Sequence, residues 1–418
     1  MKIMLVSIGT RGDMEPFLGV GQILKDRGHQ VIAAFPEQFA GLAAEADIEF
    51  ASLGSEYIES LTGGLAQEAM GAGSSMKKLL ANLKLGAYQW SINRDLIRRQ
   101  QAIIHKHQPE RVLYNPKAVY PILWGMNQGQ RHILVCPVPY LHFVKDHAHV
   151  AFGGDLGPLL NWLTYWLYDF GMMWTGWISS WWLGMEWKIG PAQIKKAIRT
   201  NRAIYTISPS LFPRPSYWPD NLRVLGFHAR TQPGDWHPGN GLKAFLDSHS
   251  GGRIVFITFG SMINPNPQLK TRSIIEALER NNVPAVINTG AGGLVKCDDV
   301  NRGLIHFVSE IPYDWIFPRV YAVVHHGGSG TTHMALRHGC ATMAVPHVVD
   351  QFAWDKIIYE LGVGPRGVGI EKIDAGTLEP KILDLVTNES YKERAELLGA
   401  QMVKEDYRDR IYTSITDW

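Results

Sequence analysis

Cysteine is scarce in this chain. There are three in 418 residues, Cys136, Cys297 and Cys340, odd in number and without a C-x-x-C pair. That excludes a disulfide framework and a cysteine-built zinc site, and it fits a reducing cytosolic compartment. An excess of one charge is missing too. Forty-one Lys and Arg against 39 Asp and Glu leave a formal +2, too weak a field to hold a polyanion, so nucleic acid is not an expected partner. The amino terminus has only a short apolar run, Met1 to Ile8, stopped by Gly9 and followed by no signal-peptide cleavage pattern. No Asp-x-Asp motif occurs, and no metal is expected.

Tryptophan, by contrast, is abundant at 14, and seven lie between Leu159 and Gly190: Trp162, Trp166, Trp174, Trp177, Trp181, Trp182 and Trp187. From Leu156 to Met185 the only formal charge is Asp169, which raises the question of a membrane span. Glycines, Pro158, Asn161, Thr164, Ser179 and Ser180 dilute the run and no basic flank precedes it, so an aromatic wall of a globular domain is the expectation. Trp162, Trp166, Trp177 and Trp181 fall at i, i+4 intervals and would make one helical face. Such a stripe suits a groove for a flat apolar ligand or a weak peripheral contact with the inner face of a membrane; a core helix would also carry it.

The rest of the pattern alternates strand and helix. Lys2–Ile8 is a branched apolar run ending at a glycine turn, Met14–Arg27 has helical period and closes at Gly28, and Gln30–Phe35 is the next strand. That βαβ opening predicts an α/β class with a doubly wound parallel sheet. Further strands are predicted at 111–114, 132–136 and 203–207. Proline and glycine cluster around 229–250, and the strand signal restarts at Arg253–Phe259 before Gly260-Ser261. Strands at 285–288, 305–307, 321–325 and 342–345 follow. Two Rossmann-like domains result: residues 1–228, a linker over 229–250 with a short helix at 242–246, residues 251–400, and a C-terminal helix in 401–418 expected to pack back on the first domain.

Three stretches can carry chemistry. Val323-Val324-His325-His326-Gly327-Gly328-Ser329-Gly330-Thr331-Thr332 runs from a strand through a turn of small residues into a helix. Exposed amides at the helix N-terminus, the hydroxyls of Ser329 and Thr331, and His326 together suit a diphosphate better than a plain capped glycine turn does. Asp350-Gln351 ends a loop on the same sheet edge and suits vicinal sugar hydroxyls, although alone it would be a solvated loop. Asp13, read as ending the first loop directly ahead of the helix, can act as a proton acceptor or as a helix N-cap. Arg11 is its expected charge partner or a substrate contact, and Tyr114-Asn115-Pro116-Lys117 could line the same cleft.

These residues resemble those of the inverting GT-B glycosyltransferases that use nucleotide-diphosphate sugars, and among them the sterol 3β-glucosyltransferases. The matching stretches are Gly9-Thr10-Arg11-Gly12-Asp13 with Pro16, Asn115-Pro116-Lys117, Asn161 with Leu163-Thr164, Phe259-Gly260-Ser261-Met262, and Pro312-Tyr313-Asp314-Trp315-Ile316-Phe317-Pro318. The His325–Thr332 turn, Asp350-Gln351-Phe352-Ala353-Trp354 and Leu361-Gly362-Val363-Gly364-Pro365 complete them. The resemblance implies a donor diphosphate against Gly12, Gly260, Ser261, His326, Gly328, Ser329, Gly330 and Thr331, glucose against Asp350 and Gln351, and the base near Ile311 and Trp315. It implies catalysis by Asp13, Arg11 and His326, and an acceptor bound by Asn115, Lys117, His142, Trp162, Trp166, Trp177 and Trp181. UDP-glucose is the implied donor, with no cofactor besides. A TDP-sugar stays open, because Met334 stands where related plant enzymes carry a ribose-binding glutamate. Related fungal enzymes have long N-terminal membrane-targeting regions; none precedes Met1, which reads as a compact core enzyme. Two rival functions are a nucleotide-sugar 2-epimerase and a non-catalytic sterol or lipid carrier; the tryptophans argue against the first, the phosphate turn and Asp350-Gln351 against the second.

Overall fold

In a computed structural model, the chain is described at residues 1–62, 75–126, 128–129, 131–185, 189–230, 236–262, 264, 266–290 and 292–417. Among these residues twelve strands form two wholly parallel sheets. The first is ordered β3-β2-β1-β4-β5-β6-β7: β1 is Lys2–Val6, β2 Gln30–Phe35, β3 Glu49–Ser52, β4 Arg111–Tyr114, β5 His132–Cys136, β6 Arg202–Tyr205 and β7 Leu222–Val224. The second is ordered β10-β9-β8-β11-β12: β8 is Val255–Thr258, β9 Ala285–Asn288, β10 Ile305–Val308, β11 Ala322–His325 and β12 Ala341–Ala344. Central strands such as β1, β4, β5, β8, β11 and β12 are nearly continuous apolar runs because helices cover both faces.

Both sheets reverse direction at one place, between β1 and β4 in the first and between β8 and β11 in the second. Val6 lies opposite Tyr114, and Thr258 opposite His325, so the loops that follow leave each sheet side by side. A crevice opens at the carboxyl ends of strands where the order reverses, and ligands of doubly wound folds bind there. The four glycine- and proline-marked stretches of the sequence, 9–13, 115–117, 260–261 and 326–331, start in these four loops, the first and last running on into the first turn of a helix.

The first helix corrects the reading of Asp13. It spans Arg11–Lys25 with Thr10 as N-cap, so Asp13 sits in its first turn and not ahead of it. Pro16 is accommodated within that helix. Two short strands, β3 and β7, were not expected at all.

The segment after β7 is pinned to the first domain. Arg230, only 2% exposed, pairs with Glu15 at 2.8 Å and Glu45 at 2.6 Å. A Cβ at Gly19 would lie 2.3 Å from the His228 carbonyl, so the helix needs glycine there. The short helix of this region is Asn240–Ser248; Pro233 and Gly234 lie outside the described residues. The C-terminal helix Arg408–Thr416 packs on the first sheet, burying Ile411 and Ile415 against Ile3, Leu5 and Ile133, and Arg223 donates to Ser414 Oγ at 2.7 Å. Between the halves, Trp354, Ile357 and Ile358 of the helix Val349–Glu360 join Tyr140, Leu211 and Phe212 in one buried cluster. No helix of the described residues is long and apolar enough to cross a membrane.

Candidate active site

Asp13 sits where the loops after β1 and β4 meet. Its Oδ2 accepts the Thr10 backbone N–H at 2.8 Å, and Ser7 Oγ donates to its carbonyl at 2.8 Å, which fixes the first helical turn. The charge partner is Lys117 and not Arg11: Lys117 Nζ donates to Oδ1 at 2.8 Å and to Oδ2 at 3.0 Å. Arg11 instead pairs with Glu15 one helical turn on, at 2.9 Å, because residues four apart share a face of the helix. Lys117 keeps 47% of its side chain exposed and Asp13 20%, so the pair lies open to the cleft. Desolvation pulls the Lys117 pKa down, but the Asp13 charge, with Tyr57 and Asp350 behind it, leaves it raised.

Asp350 faces this pair from the other sheet. Burial, and then the charge of Asp13, push its carboxyl up to about 6, against the opposing pull of Lys117. Asp350 and Gln351 do not lie on a free loop; they form the first turn of the helix Val349–Glu360. Gln351 is nearly buried, and its carbonyl oxygen accepts the backbone N–H of His347 at 2.7 Å and of Val348 at 3.2 Å. Only its amide nitrogen, 3.5 Å from Met262 Sδ, is left for another partner.

On the β8–β11 side His326 is held between two glycines. A Cβ at Gly260 would lie 2.8 Å from its Cε1, and one at Gly328 2.2 Å from its Nε2, so these glycines make room for the imidazole as well as for a ligand. Burial, with His325 and His347 beside it, holds the His326 pKa well below 6.5 and the ring neutral, and its Nδ1 has no hydrogen-bond partner. Gly328 is the N-cap of the helix Ser329–Arg337, so the amides of Ser329, Gly330 and Thr331 form its first turn. First-turn amides have no acceptor within a helix and carry the positive end of its dipole. Gly330 faces open space, with nothing close to where a Cβ would stand; a Cβ at Gly12 would meet only Thr10 Oγ1, at 3.8 Å, and Ser261 is exposed.

Other expected contacts are distributed less simply. Asn115 is buried and donates to the Ile8 carbonyl at 2.6 Å, tying the two loops together. His142 bonds through Nδ1 to the Tyr205 hydroxyl at 2.6 Å, and burial pulls its pKa down to about 4. Trp315 is half-buried beside buried Ile311, with the Arg319 guanidinium 4.3 Å over its ring. Met334 is buried beneath that region in a cluster with Ile311 and Ile316. Trp162, Trp166, Trp177 and Trp181 are exposed along the helix Pro158–Trp182, whose buried side carries Asn161, Thr164, Tyr165, Gly176, Ser179 and Ser180. No hydrogen bond or ring contact joins those four tryptophans to Asp13 or Lys117; Trp187 lies outside the described residues. The sequence reading passed over Thr10, Tyr57, Trp236, which meets Trp315 at 4.9 Å, and His333. Two of them had a signal: Thr10, three residues before Asp13 in a helix-capping spacing, and Trp236, an aromatic residue among the prolines and glycines of the linker.

The two halves are Rossmann-like, each with its switch-point loops turned toward the other, so that Asp13 of the first faces Asp350 of the second. Residues 3–93 match the glycosyltransferase family 28 N-terminal domain, and residues 283–415 match the C-terminal domain of erythromycin biosynthesis protein CIII-like proteins. The chain belongs to the GT-B glycosyltransferases. It is 27% identical over 97% of its length to sterol 3-beta-glucosyltransferase UGT80A2 of Arabidopsis thaliana, covering 64% of that protein. It is 26% identical, again over 97%, to the sterol 3-beta-glucosyltransferase of Saccharomyces cerevisiae, covering 34% of it. The chain thus spans under two thirds of these relatives. Its fold matches the glycotransferase of kitacinnamycin (TM-score 0.70, 17% identity, covering 100% of this chain and 98% of that one). It equally matches the calicheamicin glycosyltransferase CalG4 (TM-score 0.70, 15% identity, 100% and 97%).

Proposed function

We propose that the chain transfers glucose from UDP-glucose to a hydroxyl of a sterol-like apolar acceptor with inversion, giving a β-glucoside without a metal. The sterol 3-beta-glucosyltransferases among its relatives support this. The observation that carries it is the approach of Asp13 to Asp350, close enough for the charge of Asp13 to raise the Asp350 carboxyl: a base from one sheet faces a sugar-binding carboxylate from the other. An alcohol is far less acidic than any carboxylic acid, so Asp13 takes the proton only as the new bond forms. The acceptor oxygen bonds to the anomeric carbon, the bond to the diphosphate breaks with its electron pair going to UDP, and the proton passes to Asp13. The charge developing on the leaving diphosphate meets the amides of Ser329 to Thr331 and the N–H of neutral His326.

On this reading Asp350 and the amide of Gln351 take the sugar hydroxyls, and Ile311, Trp315 and Trp236 border the base. UDP over TDP is proposed on the resemblance of the sequence motifs to the sterol 3β-glucosyltransferases, since buried Met334 offers the ribose no polar group. The exposed tryptophans line the approach of the acceptor and touch the inner face of a membrane weakly, as peripheral residues of a cytoplasmic protein. The test is incubation with UDP-glucose or TDP-glucose and a sterol, following sterol glucoside and free nucleotide diphosphate. Glucoside with UDP is the expected product pair. Epimerised sugar nucleotide without glucoside, or sterol binding without turnover of any donor, would overturn the reading.

A further inference from the structure

Lys117 does more than border the acceptor side. A carboxylate offers about four lone-pair directions, two on each oxygen. Asp13 Oδ2 has both filled, by the Thr10 N–H at 2.8 Å and by Lys117 Nζ at 3.0 Å. Oδ1 has one filled, by Lys117 Nζ at 2.8 Å. Gly9 makes this grip possible. With φ +131, it sits where a Cβ would lie 2.1 Å from Asp13 Oδ2 and 2.7 Å from Lys117 Nζ, so the ion pair occupies the space any side chain would take. Lys117 is brought there by Asn115, whose amide anchors the β4 loop to the Ile8 carbonyl, and it spends two of its three N–H groups on Asp13.

We propose that Lys117 is the positioning residue of the base: with Thr10 it leaves Asp13 a single open lone pair, on Oδ1, and thereby decides which oxygen receives the proton of the acceptor hydroxyl. This rests on Asp13 being the base of the glucosyl transfer described above. In that step the hydroxyl proton goes to Oδ1, the acceptor oxygen bonds to the anomeric carbon, and the electron pair of the broken bond leaves with the nucleoside diphosphate. Lys117 keeps all its protons throughout. The ammonium thus acts through Asp13, as an orienting group and a counter-charge for the resting carboxylate.

A double-mutant cycle on sterol glucoside formation tests this, with Lys117→Met, Asp13→Asn and the pair together. Lys117→Met should lower kcat on the order of 100-fold, the cost of a reacting group set about 1 Å out of place. Sterol KM, UDP affinity and the thermal midpoint should stay near wild type. Lys117→Arg should restore most of the rate, since a guanidinium can donate to both carboxylate oxygens. Against the Asp13→Asn background, Lys117→Met should cost nothing further, because the group it orients is gone. A raised sterol KM at unchanged kcat would make Lys117 an acceptor contact, and an additive loss in the cycle would likewise overturn the proposal. If Lys117→Met does not fold, Lys117→Gln takes its place in the cycle. Wild-type protein that forms no glucoside from any donor sinks the functional reading itself, before a variant is compared.

Discussion

His333 of the second half reaches Ser208 of the first: its Nε2 accepts the Ser208 backbone N–H at 3.0 Å, while its Nδ1 donates to the Ser329 carbonyl at 2.7 Å. An imidazole that accepts at one nitrogen and donates at the other is neutral and of one tautomer. Ser329 opens the phosphate-side helix, so a single ring links the first domain to the first residue of the donor turn.

That ring is fully buried, and burial, partly offset by the Ser329 carbonyl, pulls its pKa down to about 4. The unfolded chain then binds a proton that the folded one refuses between pH 6.5 and about 4, so His333 withdraws stability as pH falls through that window. At about 1.4 kcal/mol per pKa unit the loss is on the order of 3 kcal/mol. His333→Leu should reduce the proton uptake on unfolding at pH 5 by about one. Denaturant titrations at pH 7, 6 and 5 read this directly; an unchanged slope would show that the ring is not neutral and buried.

Removing the donor-side imidazole should act on rate more than on binding. His326→Ala should lower transfer about 100- to 1,000-fold with a much smaller change in UDP affinity, as loss of a donor aimed at developing charge does. Gly328→Ala should mimic it, because its methyl would displace the His326 ring. Steady-state rates beside calorimetry with UDP check both. A wild-type rate in His326→Ala would remove that histidine from the mechanism.

The carboxyl of Asp350 sits at about 6, so sugar recognition should titrate. The ionised form accepts hydrogen bonds at both oxygens, and the protonated form accepts fewer, so UDP-glucose should bind more weakly below pH 6 while UDP alone does not follow. Asp350→Ala should abolish that difference and weaken UDP-glucose far more than UDP. Equal losses for the two ligands would place Asp350 outside the sugar pocket.

On the helix Pro158–Trp182 the usual polarity is reversed, with Leu159 and Trp181 at 76% and 79% exposure and hydroxyl and small side chains within. Replacing Trp162 and Trp181 together by Ser should leave the thermal midpoint unchanged and lower co-sedimentation with phospholipid vesicles several-fold, since tryptophan is favoured where an apolar ring keeps a wet edge. Undiminished co-sedimentation would separate these residues from any membrane contact.

Most of the scaffold was legible because buried parallel strands are unbroken apolar runs closed by glycine or proline, and β2, β4, β5 and β9 came out residue for residue. The strands β3 and β7 were not, being edge strands of four and three residues in which Glu49, Ser52 and Arg223 interrupt the apolar signal. The loops at the switch points were found through their small residues. Who bonds to whom within them was not: Arg11 is two residues from Asp13 yet turns to Glu15, while Lys117 reaches it from 104 residues away. Nothing in the local sequence tells a helix-borne His333 from a core histidine, because its partner at Ser208 is set by how the halves meet.

The polypeptide passes between the two sheets twice, once beyond Arg230, held by Glu15 and Glu45, and again near Glu405, which accepts from Ser208 Oγ at 2.9 Å and Ser210 Oγ at 2.7 Å. A body tethered at one point can twist freely; tethered at two, it keeps one axis, like a door on its pins. Here the His333–Ser208 hydrogen bond and the apolar cluster around Trp354 fasten the halves as well, so a swing that widens the cleft has to break that bond and bring buried apolar surface into water.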